Sequence, residues 1–80
     1  GKFMQTVQIS LNSIDKVKSF VQVITKYDND FDLVAGRYVI DAKSIMGIFS
    51  LDLSDDLELV IQKDTDMDAI MNDLSEFIVD

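Results

Sequence analysis

Fifteen acidic side chains, with no histidine and no cysteine, decide which chemistry this 80-residue chain could host. Without an imidazole or a thiol, general acid–base work falls to Asp, Glu, Lys or Tyr. Disulfides and the common Cys/His metal sites are excluded. The carboxylates gather in two runs, DNDFD (Asp28–Asp32) and DTDMD (Asp64–Asp68), with the alternate spacing of a calcium loop. Both runs fail where such a loop must bend and close. The sixth position is Leu33 or Ala69 rather than glycine, and the twelfth is Val39 or Ser75 rather than glutamate. They read as solvated turn and helix-cap residues, so no metal is assigned. Isolated glycines supply no phosphate-binding loop, and no spacing singles out a catalytic pair of carboxylates. The residues point away from an enzyme and imply no cofactor.

The segment Asp41–Asp52, DAKSIMGIFSLD, is different in kind. Ser44 is placed to cap a short helix, its hydroxyl near free N–H groups. Counting from there, Ile48 and Leu51 can point into a core, but Ile45, Met46 and Phe49 cannot all join them. Apolar side chains around an exposed short helix form an adhesive patch, and methionine suits one because it adapts its shape. Gly47 costs about 1 kcal/mol of helix stability against alanine, which close approach of another backbone would explain. The competing reading makes every apolar residue of the segment core.

Periodicity organises the rest of the chain around this segment. FMQTVQISL (Phe3–Leu11) alternates, with Val7, Ile9 and Leu11 on one side, as a half-buried strand does. Asn12 or Ser13 can then cap a helix, with Asp15 well set against its positive end. Ile14, Val17, Phe20, Val21, Ile24 and Tyr27 recur at three and four residues, which predicts an amphipathic helix of about four turns. FDLVA and RYVID read as strands around a turn at Gly36. Phe31, Leu33 and Ala35 share a face there, as do Tyr38 and Ile40. LELVIQ is a fourth strand. Thr65 and Asp68 approximate a capping box for a last helix whose stripe is Met67, Ile70, Met71, Leu74, Phe77 and Ile78. Four strands joined in this order suit an α+β fold, an antiparallel sheet with helices packed on one face.

Composition bounds the partners. A net charge of −8, with seven basic residues scattered among the acidic ones, argues against nucleic acid. No apolar run approaches the roughly 20 residues of a membrane span, and no signal-peptide pattern opens the chain. The expected location is cytoplasmic. Gly1 in front of Lys2 reads as a cloning remnant, leaving one domain over 2–80.

TKYDNDFDL (Thr25–Leu33) followed by AKSIMGIFSL (Ala42–Leu51) resembles HPr, the small phosphocarrier of the bacterial sugar phosphotransferase system. The resemblance covers nearly the whole chain, and KSIMG followed by SL is its most specific part. It implies an open-faced β-sandwich: a four-stranded antiparallel sheet in the order 1-4-2-3, with two longer helices and one short helix on one face. In that family the phosphoryl group travels on a histidine at the start of the first helix. Here the corresponding stretch is NSIDKVK (Asn12–Lys18), and the histidine position falls on Ser13 without a gap or on Asp15 with a one-residue gap. Lys16, Val17 and Lys18 replace the family's arginine–proline context.

The resemblance therefore implies loss of the carrier chemistry, which needs a nucleophilic imidazole. Ser44 matches the serine that a dedicated kinase phosphorylates in Gram-positive members. Ile45, Met46 and Phe49, with Lys16 and Lys43, match a surface that docks on enzyme I, the kinase or a transcriptional regulator. A histidine-less relative of this kind acts in catabolite repression. The expectation is an HPr-like regulatory or adaptor protein, a monomer or weak dimer. The alternative is a small-molecule-sensing domain of the ferredoxin-like ACT type, and a carrier using Asp15 or Ser13 ranks last. One departure stands out: the loop DLSDDLE is more acidic than its family counterpart, and Asp52, Asp55 and Asp56 would repel an acidic partner.

Overall fold

The computed structural model describes residues 4–63 and 65–79; Phe3, at the front of the expected first strand, and Asp64 of the second acidic run lie outside them. The chain runs β1 (Met4–Ile9), α1 (Ile14–Ile24), β2 (Phe31–Ala35), β3 (Tyr38–Asp41), α2 (Ile45–Phe49), β4 (Leu57–Gln62) and α3 (Met67–Asp73). All strand pairs are antiparallel, in the order β1-β4-β2-β3. This is the α+β open-faced β-sandwich expected from the sequence. It is not the plan of a ferredoxin-like domain. That plan sets its second long helix between the third and fourth strands, where this chain has the five-residue α2 and keeps α3 for after β4.

The register explains which face is covered. Val7 and Leu33 both lie opposite Leu59, Ile9 lies opposite Leu57, and Phe31 opposite Ile61. Side chains alternate across a strand, so these residues share the face that the helices cover, and all but the half-buried Val7 are fully buried. The opposite face carries Thr6, Gln8, Asp32, Val34, Glu58 and Val60, of which Thr6 and Gln8 are exposed and the others half-buried. β2 and β3 meet through a two-residue turn, with Ala35 opposite Tyr38. Gly36 takes φ +62° in that turn, a conformation glycine adopts without a side-chain clash.

α1 buries Val17, Phe20 and Ile24, the expected spacing. Ile14, counted into the same stripe, stands at the first helical position and is 62% exposed. The helix is also shorter than expected and ends before Tyr27. The chain leaves the helical path there to seat Asn29, a buried polar side chain. Its amide nitrogen donates to the carbonyls of Gln62 and Thr65, at 3.1 and 3.0 Å.

The last helix differs most from expectation. The capping box does not form. Asp66, not Thr65, is the cap residue; it sits in the left-handed region at φ 59° and makes no side-chain capping bond. Thr65 instead offers its carbonyl to Asn29. α3 stops at Asp73 although its apolar stripe runs on to Ile78. The reason is a competing use of the backbone. Ser10 N–H donates to the Phe77 carbonyl at 2.8 Å, Val79 N–H donates to the Gln8 carbonyl at 2.9 Å, and Ile78 bridges Ile9. The tail thereby caps the open edge of β1, which would otherwise present unpaired backbone groups. Leu74 and Phe77 remain fully buried in the tight turn between, and Phe77 meets Phe20 edge to face with ring centroids 5.7 Å apart.

Candidate functional site

Ser44 stands directly before α2 in extended backbone (φ −95°, ψ 101°). Its Oγ accepts from Gly47 N–H at 3.2 Å, and its carbonyl accepts from Ile48 N–H at 3.0 Å. The side chain is exposed, so its hydroxyl is both the helix cap and open to solvent. α2 then divides its apolar residues. Ile48 is fully buried and roots the helix in the core. Ile45 and Leu51 are half-buried against that core. Met46, 76% exposed, and Phe49, 40% exposed, point outward. The wholly buried reading of this segment therefore fails, and the outward patch is narrower than three residues, since Ile45 serves mainly as packing.

Gly47 has a local explanation rather than one involving a foreign backbone. A Cβ built there would lie 3.3 Å from Ile40 Cδ1 and 3.3 Å from Ser44 Oγ. The missing side chain lets α2 settle onto β3 and keeps the capping hydroxyl in place.

Lys43 is less free than the sequence suggests. Its ammonium donates to the Tyr27 carbonyl at 2.7 Å and lies 5.5 Å from the centre of the Phe31 ring. Its backbone N–H donates to Asp41 Oδ1 at 2.9 Å. The side chain braces the approach to α2 against the end of α1, so its charge is already engaged.

At the other candidate position, Ser13 caps α1, its Oγ accepting from Lys16 N–H at 3.1 Å. Asp15 comes next but one, in the first turn, and is exposed, and Lys16 is half-buried. Ser13 and Asp15 thus sit at the start of the first helix, whose body packs beside α2. Among the described residues, no group of three or more carboxylates gathers in a metal-holding arrangement.

Sequence reasoning missed one cluster. Tyr27 Oη donates to Asp73 Oδ2, and Lys26 Nζ pairs with the same oxygen at 3.2 Å. The hydrogen bond from Tyr27, and then that from Lys26, holds the Asp73 carboxyl below the usual carboxylate range. The same bond to Asp73, with burial, raises the Tyr27 phenol. The partners lie 46 residues apart, and nothing in either local pattern signals the contact.

A family model described as the PTS HPr component phosphorylation site matches residues 15–80. The chain belongs to the HPr family. Solved HPr structures share its fold. The phosphocarrier protein HPr from Bacillus anthracis str. Ames superposes with a TM-score of 0.69 at 23% identity, covering 95% of each chain. HPr-C-His from Thermoanaerobacter tengcongensis gives 0.67 at 23% identity, covering 91% of this chain and 86% of that one. A Mycoplasma histidine-containing phosphocarrier protein gives 0.64 at 18% identity, covering 91% and 88%. A comparison with curated proteins finds no match. HPr proteins are phosphocarriers rather than enzymes and work by contacting other proteins. This member has no histidine at all.

Proposed function

We propose that this HPr-family protein has given up histidine phosphocarriage and acts as a regulatory or adaptor protein of the phosphotransferase system. The observation that carries the reading is the exposed pair Met46 and Phe49 beside an exposed, capping Ser44, in a chain without histidine. Met46 and Phe49 make the contact surface, with Ile45 at its base and Lys16 at its margin; Lys43, its ammonium held by the Tyr27 carbonyl, supports this surface from behind. HPr kinase or a transcriptional regulator would be the partner, and the setting is the cytoplasm, with the protein a monomer or weak dimer. No cofactor enters.

Ser44 is the switch. Phosphorylation joins its Oγ to the γ-phosphorus of ATP, releases ADP, and passes the hydroxyl proton to a base of the kinase. The product carries nearly two negative charges and acceptor oxygens beside Gly47 N–H. A charge of that size next to Met46 changes which partner surface the patch can meet. No helix in the described residues is long and apolar enough to cross a membrane.

Neither Ser13 nor Asp15 replaces the imidazole, and the test is direct. Incubation with enzyme I and phosphoenolpyruvate should leave the mass of the protein unchanged. A stable phosphoryl adduct abolished by Ser13→Ala or Asp15→Asn would reinstate carriage and overturn the reading.

A further inference from the structure

The covered face of the sheet runs out from under the helices at the β2–β3 hairpin. Tyr38 and Ile40 belong to that face by register, lying opposite Ala35 and Leu33. Tyr38, at the start of β3, is 64% exposed, while Ile40 is half-buried. The chain leaving α2 passes over the gap and walls it with Leu51 and with Asp52, Asp55 and Asp56. The result is a groove of about 590 Å³, apolar on its floor and acidic along one rim. Leu51 is half-buried and the three aspartates are exposed. Asp52 accepts from Ser54 Oγ at 2.6 Å and from Ser54 N–H at 3.1 Å. These two bonds hold its carboxyl below the usual carboxylate range.

We propose that this groove docks a basic segment of a partner protein. An Arg or Lys side chain would lay its aliphatic stem along Leu51 and Ile40, as such stems do on apolar surface. Its cation would meet the carboxylates of Asp52, Asp55 and Asp56 and the face of the Tyr38 ring. Charge selects this occupant: the rim repels an acidic segment and a nucleic acid alike. An apolar floor gives a bare cation nothing, and no described carboxylates gather as metal ligands. The groove begins at the residues that directly follow α2, Ser50 and Leu51, so one partner could span it and the Met46–Phe49 patch. In this respect the inference rests on the reading of α2 as a docking surface and adds the chemistry of what docks.

The test is a titration of the 15N-labelled protein with a peptide alternating Arg and Leu, and with its counterpart carrying Glu for Arg. The Arg peptide should shift the amides of Tyr38, Ile40 and residues 51–56, with an affinity that falls as salt is added. The Glu peptide should shift none. The combined change Asp52→Asn, Asp55→Asn and Asp56→Asn keeps the amide-side oxygen that Ser54 uses, and should weaken the Arg peptide at least about tenfold. Asp55→Lys with Asp56→Lys should reverse the preference toward the Glu peptide.

Absence of binding, binding unmoved by the Asn changes, or shifts elsewhere would overturn the groove. Shifts confined to Met46 and Phe49 would do so while leaving the α2 reading intact. Groove shifts together with partner capture indifferent to Met46→Ala and Phe49→Ala would sink the α2 reading instead.

Discussion

Ser13 and Ser44 do the same local work. Each stands in extended backbone immediately before a helix, and each hydroxyl accepts from an amide three residues on, at 3.1 and 3.2 Å. The helices behind them differ. Ser13 leads into eleven helical residues with Val17, Phe20 and Ile24 in the core, and a far end tied to α3 through Tyr27, Lys26 and Asp73. Ser44 leads into five, with Ile48 alone fully buried and Met46 and Phe49 left outside. A cap is thus neutral about function. α1 is built to hold the fold, and α2 is a small platform whose outward residues are free for another use.

Substitutions that break this contrast can be ranked. Phe20→Ala removes the ring that packs on Phe77, and should cost about 3–5 kcal/mol, a large share of the stability of a domain this size. Ile48→Ala should cost about 2–4 kcal/mol, because it pulls out the one deep root of α2. Urea unfolding measures both. A loss below about 1 kcal/mol for Ile48→Ala would show that α2 hardly depends on its root.

Ser13→Ala should cost about 1 kcal/mol. Ser44→Ala should cost less, since it frays a helix of five residues instead of eleven. Equal losses would mean that α2 matters to the fold as much as α1 does.

Met46→Ala should move stability by no more than about 0.5 kcal/mol, as expected for an exposed side chain, while abolishing capture of a partner. A large stability loss would place Met46 in the core network and not in a contact surface.

The smallest effect concerns the far end of α1. The carboxyl of Asp73 titrates below its ordinary range because Tyr27 and Lys26 hydrogen-bond it. A depressed folded value gives stability that is present above the unfolded pKa and lost as pH falls through the folded one. The wild type should therefore soften in that acid window more than Asp73→Asn does. Parallel acid titrations of the two would contradict the tie.

Much of this was legible beforehand. The alternation in Val7, Ile9 and Leu11 and the spacing of Val17, Phe20 and Ile24 carry their own periods. The strand order came from the resemblance of KSIMG and its surroundings, not from periodicity. Three things were not legible, each set by contacts distant in sequence. α3 stops at Asp73 because the tail pairs with β1. The cap of α3 falls on Asp66 because Asn29 claims the Thr65 carbonyl. Lys43 looks like a surface cation in the sequence, yet it braces Tyr27 and Phe31. The platform itself was visible because Ile45, Met46, Ile48, Phe49 and Leu51 are too many apolar residues for one short helix to bury on one side.

The role of Ser44 is best decided by the intact mass of the protein after incubation with active HPr kinase and ATP, with Ser44→Ala alongside. One phosphoryl group is expected on the wild type and none on the variant. An unmodified wild type, with its fold confirmed, or an adduct that persists in Ser44→Ala, would contradict the claim that Ser44 is the switch on this surface.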